Sequence, residues 1–482
     1  MRIVQTFWSG GKNPINDGFG WLKPRYNLMS WALSCLSLRK QYDEVVLYTD
    51  STGYDILINQ LKLPYTDVII EYDNLNCNPT LWAYPKVLTY SLQEKPFIHV
   101  DGDVFISRKF RPEIEFADLV SQNRETGTPY YKGMMEAIRR EQVNIPEFLD
   151  EELIKDSISS YNAGIIGGND LEFIKEYCDT AFKYIKDNHL DGREGMFINH
   201  NILFEQILFY ALTKQYSEKR VTTVLDFSVN DNGYTYNDFC DLSKFENSTK
   251  FLHILGGHKR NEKTCSLLGR VLLKQYPEYF FRIINLTPDF HKRFYLKNSD
   301  FTISKLCNQD DIVPKSEVKK YDIFLQHLSV EWNKIPNKEL IDLDIQSCNY
   351  FKFLNDSGKD KLSTIIRINP YINLYESSLK CSLENKLHLK KQINPDFYTN
   401  TFDIACIPDL LDNGYKEVLI DDLSYNILQI LEEERTFSDL LKMLEVCFGS
   451  IDISKNYDTY YMQICSKLEY LFFHKLIYSI DN

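Results

Sequence analysis

Short apolar runs alternate with amphipathic stretches through residues 1–286, and this alternation constrains the fold more than any other feature of the 482-residue chain. Residues 3–7, 44–48, 68–71, 96–100, 164–168 and 251–255 read as strands. Residues 31–38, 55–61, 82–92 and 201–212 have helical spacing, and Asn169 or Asp170 precedes a helix with Leu171, Ile174 and Tyr177 on its apolar face. Strands interleaved with helices predict an α/β layer architecture. At roughly 150 residues per domain the chain should hold about three domains, since single cores stop growing near ~250–300 residues.

The character changes after residue 286. Residues 287–321 mix Pro, Lys, Asp and Ser, and residues 322–398 carry apolar clusters between polar stretches. The span 287–399 therefore reads as a linker or spacer subdomain with no assigned role. Residues 400–482 are more regular. Strands are expected at 403–407 and 417–420, joined through the turn signal Asp412-Asn413-Gly414. Helices follow at 423–431, from a Thr436 cap through Leu440, Leu441 and Leu444, and at 457–475, and residues 476–478 return as a strand. Two strands and three helices in so short a span suggest a small winged-helix module.

Charge narrows the functions. With 68 acidic against 55 basic residues and a net charge of -13, the chain lacks the positive field that grips nucleic acid. A small anionic ligand stays open, because a metal ion supplies local positive charge. The opening Met1-Arg2-Ile3-Val4-Gln5 is too short and polar for a signal-peptide core, and no apolar run reaches the ~20 residues of a membrane span. The 11 cysteines are scattered and never spaced C-x-x-C, as expected of reduced thiols in a cytoplasmic protein.

The segment His99-Val100-Asp101-Gly102-Asp103-Val104-Phe105 carries the strongest chemical signal. Two carboxylates two residues apart on a regular strand face the same side. At the C-terminal end of a strand in an open α/β sheet they border the ligand crevice. Hard oxygen ligands this close suit Mn2+ or Mg2+, which bridge a diphosphate. The plainer alternative is an Asp-Gly-Asp turn with solvated carboxylates.

Three further motifs follow in order: Tyr161-Asn162-Ala163-Gly164-Ile165-Ile166, Glu205-Gln206, and His253-Ile254-Leu255-Gly256-Gly257-His258-Lys259. Together with Asp101-Gly102-Asp103, they make residues 1 to about 285 resemble a GT-A-fold glycosyltransferase, a Rossmann-like nucleotide-diphospho-sugar transferase, in the motif order of the glycosyltransferase 8-like group. Trp8-Ser9-Gly10-Gly11 and Leu81-Trp82-Ala83-Tyr84-Pro85-Lys86 are similar to an uncharacterised bacterial branch of that fold. Two departures stand out. Arg260-Asn261 follow the late motif where Pro-Trp is often found, and a charged insert spans 129–155. They leave donor identity and stereochemistry open.

The resemblance implies roles. Asp101, Asp103 and His253 would bind the metal. Gly256 and Gly257 would let backbone N–H groups approach phosphate, and Lys259 would neutralise the leaving diphosphate. Phe7, Trp8, Ser9, Thr49 and Asp50, at the ends of the first two strands, would hold the nucleoside. Lys86 would reach the donor or a metal-site carboxylate, with Gly102 lying between the two carboxylates. Asn162 would bond sugar hydroxyls and Gly164 would leave room for them. Glu205 would orient the acceptor or act as a base.

The run from Gly414-Tyr415-Lys416-Glu417-Val418-Leu419-Ile420-Asp421-Asp422-Leu423 to Arg435-Thr436-Phe437-Ser438-Asp439-Leu440-Leu441 is similar to PqqD-like peptide-recognition domains. That resemblance implies a leader peptide added as a strand to the small sheet and packed on the third helix. The two resemblances together predict a metal-dependent enzyme that moves a sugar from a nucleotide donor, a UDP-sugar, to a ribosomally made precursor peptide whose leader sits on residues 400–482. A transferase acting on a cell-surface glycan or lipid-linked sugar, an inert peptide-binding scaffold and a nucleotidyltransferase are the alternatives.

Overall fold

The computed structural model describes every residue except 128, 193, 217–219, 231–241, 246–250, 288–314, 381–400, 410–413, 448–452 and 481–482. The chain divides into two compact units. One is Met1–Leu272 with Tyr276–Thr287; the other is Leu273–Gln275 with Pro288–Asn482.

The first unit is built on the strands β1 (Arg2–Thr6), β2 (Val45–Thr49), β3 (Asp67–Ile70), β4 (Phe97–Val100), β5 (Val104–Ile106), β6 (Leu119–Ser121), β7 (Arg124–Thr126), β8 (Ser159–Tyr161), β9 (Ile165–Gly168), β10 (Val221–Thr223) and β11 (Phe251–His253). Seven of them form one sheet in the order β10-β6-β9-β4-β1-β2-β3. β3, β2, β1 and β4 run parallel; β9 runs antiparallel between β4 and β6; β6 and β10 are parallel. This parallel-rich, mixed α/β sheet is Rossmann-like. β2 and β4 are buried along their whole length, as expected of strands covered on both faces.

Helix Pro24–Gln41 buries every residue from Arg25 to Leu38. Proline at its first position and Arg39 and Lys40 in its last turn suit the two ends of the helix. Two expected helices are more irregular. The stretch 55–61 becomes a turn of α-helix, Ser51–Tyr54, followed by a π segment, Asp55–Gln60. The stretch 201–212 splits into Ile198–Ile202, a π turn Leu203–Ile207, and Leu208–Thr213. A widened turn leaves carbonyls out of the usual ladder. Here the Tyr177 hydroxyl donates to the Glu205 carbonyl at 2.9 Å.

Glycine is required where β9 is threaded between its neighbours. A Cβ on Gly167 would stand 2.2 Å from the Phe97 carbonyl oxygen, and one on Gly168 2.0 Å from that of Asp118. Both residues also have positive φ, +149° and +139°.

The second unit contains β12 (Ile365–Ile368), β13 (Asn373–Lys380), β14 (Thr401–Asp409), β15 (Gly414–Ile420), β16 (Arg435–Thr436) and β17 (Ile477–Ile480). β13-β14-β15 form one antiparallel sheet and β16-β12-β17 another. The expected strands 403–407 and 417–420 lie within β14 and β15, paired Ile404 to Leu419. Asp412 and Asn413 of the expected turn lie outside the described residues, as does most of the expected junction at 287–321. Helices Asp422–Ile430, Phe437–Cys447 and Ile453–Phe473 follow. Asp421 caps the first through the Ser424 amide at 2.8 Å, and Thr436 caps the second through the Asp439 amide at 3.1 Å. Both sheets take a strand from before residue 400. The span 400–482 therefore completes its sheets only with residues 365–380.

Among the described residues, no helix is long and apolar enough to cross a membrane.

Lys475 clips the second unit together. It is 2% exposed, adopts φ +61°, and its ammonium meets Asp344 and, at 2.9 Å, Asp409. Three elements meet at this one charge: helix Asn337–Gln346, the end of β14 and the turn after helix Ile453–Phe473. Removing one partner of a buried pair leaves the other charge without compensation, at about 3–5 kcal/mol. Lys475→Met should destabilise this unit by that order in urea unfolding followed by circular dichroism.

Candidate active site

Asp101 and Asp103 occupy a turn, which corrects the picture of two carboxylates along a regular strand. β4 ends at Val100 and β5 begins at Val104. The Asp101 amide donates to the Gly164 carbonyl at 2.9 Å, and the Val104 amide closes the turn on the Asp101 carbonyl at 3.1 Å. Gly102 is obligatory here because a Cβ would lie 2.5 Å from the Trp31 ring. The carboxylates still come together, because the turn reverses the chain between them.

β11 supplies the third member. It pairs antiparallel with β5, with His253 opposite Val104, and the Ile254 amide donates to the Asp103 carbonyl at 3.1 Å. Ligand atoms of Asp101, Asp103 and His253 all lie within 4.8 Å of one another. His253 Nε2 is 3.3 Å from Asp103 Oδ1, and Nδ1 is 2.7 Å from Gln122 Oε1. Gln122 turns its amide nitrogen to Asn123 Oδ1 at 3.0 Å, so its carbonyl oxygen faces the imidazole. His253 therefore donates from Nδ1, and Nε2 is the nitrogen turned to the carboxylate. Two acceptors at that distance repel unless a proton or a cation lies between them. Two carboxylate oxygens and one imidazole nitrogen form a donor set that suits Mn2+ or Mg2+.

Two lysines compensate the acids. Lys86, on helix Tyr84–Ser91, places its ammonium 2.9 and 3.0 Å from the Asp101 oxygens and 2.6 Å from Glu205 Oε1. Glu205 is fully buried; the Tyr90 hydroxyl donates to Oε1 at 3.3 Å, while Oε2 has no hydrogen-bond partner. Burial pushes the Glu205 carboxyl well above its usual range; Lys86 opposes the shift and Asp101 adds to it. Burial likewise raises Asp101, against the pull of Lys86 and with the push of Asp103. Burial acts the same way on Asp103, but Lys259, in direct contact, and His253 outweigh it and hold that carboxyl well below the usual range.

Phe7, Trp8, Ser9, Thr49 and Asp50 form a second patch joined to the first by aromatic packing, while Asn162 and Gly164 lie beside the first. Phe7 meets Trp31 edge-on at 5.2 Å, and Trp31 is the ring that excludes a Cβ from Gly102. Asp50 accepts from the Ser9 amide at 2.8 Å and the Gly53 amide at 2.7 Å. Asp50 thus ties the ends of β1 and β2 and caps helix Ser51–Tyr54. Thr49 is fully buried, and its hydroxyl has no hydrogen-bond partner. Trp8 is half-buried against the core. Asn162, 4% exposed, accepts from the Gly164 amide at 2.9 Å and donates to Glu125 at 2.8 Å. In this arrangement Asn162 holds the loop that supports Gly164. Gly164 itself is closed in: a Cβ there would lie 2.4 Å from His253 and 2.5 Å from Gln122. Gly256 opens the 3-10 turn Gly256–Arg260 at φ +45°, with open space where a Cβ would stand.

Four residues escaped the sequence reading. Gln122 orients His253. Glu125 receives Asn162 and the Tyr131 hydroxyl. Tyr90 donates to Glu205. His99 lies 3.0 Å from the Thr6 hydroxyl through Nε2 and 3.7 Å from Asp101 through Nδ1. Burial, then Lys86, depress His99 well below the usual imidazole range. His99 stands two residues before Asp101 in the motif, which was the one signal for it. The others belong to no spacing pattern.

The fold and this cluster define a Rossmann-like α/β protein with an acidic and histidine-bearing centre at the end of its parallel strands. Residues 1–286, more than half of the chain, match a family of unknown function (DUF6734), and the chain belongs to that family. Among solved structures it is similar to mouse xyloside xylosyltransferase 1 in its apo form, at 12% identity and a TM-score of 0.27, over 52% of this chain and 96% of that one. No curated protein matches the chain.

Gly164→Ala tests the geometry. The added methyl must displace His253 or Gln122, so whatever affinity the Asp101, Asp103 and His253 cluster has for Mn2+, measured by calorimetry, should fall at least about tenfold, the loss typical of a disturbed ligand-orienting partner.

Proposed function

We propose that the chain is a metal-dependent glycosyltransferase of GT-A type, moving a sugar from a nucleotide-diphosphate donor, a UDP-sugar, to a ribosomally made precursor peptide. The observation that carries this reading is the convergence of Asp101, Asp103 and His253 within 4.8 Å at the C-terminal end of a parallel strand, where α/β sheets bind their ligands. Asp101, Asp103 and His253 would hold Mn2+ or Mg2+. When bound, the ion supplies positive charge to the diphosphate that leaves. Lys259 adds to that charge from the same side as Asp103. Gly256 and Gly257 let backbone amides approach phosphate. The patch of Phe7, Trp8, Ser9, Thr49 and Asp50 would take the nucleoside. Asn162 and Gly164 would support the sugar side from behind, Asn162 through its hydrogen bonds to the Gly164 amide and Glu125. Glu205 keeps one buried oxygen without a partner, a site for an acceptor hydroxyl to donate into.

The second unit would hold the leader. β15 is the end strand of its sheet among the described residues, with the right chemistry for an added strand. Tyr470, on helix Ile453–Phe473, donates to the Leu419 carbonyl at 3.2 Å, so the helix and the strand form one surface. A leader held there raises the local concentration of the segment to be modified.

Calorimetry with UDP and GDP, each with and without Mn2+, tests the donor site. One nucleotide should bind, and only when both Mn2+ and the Asp103 carboxylate are present; Asp103→Ala should lose at least about 1.4 kcal/mol, a factor of ten. Metal-independent binding that survives the substitution counts against the reading. For the second unit, hydrogen exchange on the full chain should slow at residues 414–420 when a precursor peptide is added. Unchanged exchange there removes the peptide part of the proposal and leaves the transferase part standing.

A further inference from the structure

The two lysines of the site are held in different ways. Lys86 lies between two carboxylates, 2.9 Å from Asp101 and 2.6 Å from Glu205, with its side chain 9% exposed. Asp101 and Glu205 both need it, and it has nowhere to go. Lys259 meets Asp103 through its ammonium, and its side chain is 22% exposed. It rises from the 3-10 turn Gly256–Arg260, where the Cβ positions of Gly256 and Gly257 face open space. Its backbone is anchored, since the Leu22 amide donates to the Lys259 carbonyl at 3.0 Å. The ammonium is thus carried from a fixed base on a side chain more exposed than that of Lys86.

Lys259 and His253 divide Asp103 between them. The ammonium takes Oδ2 and the imidazole Nε2 stands at Oδ1. A divalent ion drawn to Asp103, Asp101 and His253 meets an ammonium already seated on one of its ligands. At such separations the repulsion between like charges is large in a partly desolvated site. A diphosphate offers that ammonium another anionic partner.

We propose that Lys259 is an electrostatic lock on the cation site: it neutralises Asp103 while the donor site is empty and transfers to the diphosphate when nucleotide and metal enter together. The inference rests on the reading of this centre as a metal and diphosphate site. It makes Lys259 a positioning residue that couples two ligands. Coupling between sites is reciprocal, so nucleotide raises the affinity for metal by the factor by which metal raises that for nucleotide. Removing the ammonium removes the competitor. A substitution that weakens nucleotide binding should therefore strengthen metal binding to the free protein, a result that simple loss of a structural ion pair does not produce.

The test measures Mn2+ binding by the full chain with and without UDP, from the electron paramagnetic resonance signal of free Mn2+. Without nucleotide, Lys259→Met should bind Mn2+ about fivefold more tightly than the unaltered protein, within the usual span of such couplings. UDP should raise Mn2+ affinity more in the unaltered protein than in the variant. Lys259→Arg, which keeps the charge, should behave as the unaltered protein does. Lys259→Gln serves as a second neutral variant should the methionine variant melt early. Folded neutral variants that bind Mn2+ no more tightly than the unaltered protein overturn the lock while leaving the metal site in place. An unaltered protein that takes up no Mn2+ even with UDP overturns the metal reading itself, and the lock with it.

Discussion

Three carboxylates gathered at one end of the main sheet, Glu205 fully buried and Asp101 and Asp103 partly so, set the terms for the rest of the first unit. Burial strips water from all three to some degree, and a desolvated charge without compensation is among the most costly features a fold can carry. Lys86 and Lys259 answer them with two positive charges. Every element around the site serves this arrangement. Helix Tyr84–Ser91 carries Lys86 between Asp101 and Glu205. The π turn Leu203–Ile207 holds Glu205, with Tyr177 on its carbonyl and Tyr90 on its carboxylate. The short β5–β11 ladder brings His253 and Lys259 back to Asp103.

Steric exclusion links that charge cluster to its surroundings. Gly102 is pressed against Trp31, Trp31 against Phe7, and the Cβ position of Gly53 against Phe7 and Thr49. The turn that carries the two aspartates and the ends of β1 and β2 therefore share one packed contact. Gly164 has the same part on the other side, where His253 and Gln122 fill the space a side chain would need. Close-packed interiors pass small displacements on without absorbing them. Changes at the patch of Phe7 and Thr49 should therefore be felt at the carboxylates, although no hydrogen bond joins the two directly among those described.

The second unit follows a different logic. Its two sheets have three strands each, and it joins elements distant in sequence through buried ion pairs, Lys475 with Asp344 and Asp409, and Lys467 with Asp421. Such pairs specify which elements meet more than they stabilise. Because strands from 365–380 complete both sheets, the stretch read from sequence as a spacer is part of the architecture that presents β15. Its apolar clusters between polar stretches were short helices and strands whose partners lay from 21 to 115 residues away, beyond what local periodicity reports.

The local sequence already carried the alternation of elements in the first unit, the positions of β1, β2, β4 and β9 to within a residue or two, a cap at Asn169 or Asp170, the cap at Thr436, and the candidate residues Asp101, Asp103, Glu205, His253, Lys86 and Lys259. These are local signals: apolar periodicity, capping side chains and acidic or glycine-rich motifs act within a turn or a strand. Only the tertiary structure decided that Asp101 and Asp103 sit on a turn, that Lys86 bridges Asp101 to Glu205, that Asn162 and Asp50 engage backbone amides, and that Gln122 and His99 belong to the site. Those facts depend on the sheet order and on the register of β5 against β11, which bring together side chains up to 156 residues apart. Contact at that separation is set by packing and by the need to compensate buried charge, and neither leaves a mark in the spacing of residues along the chain.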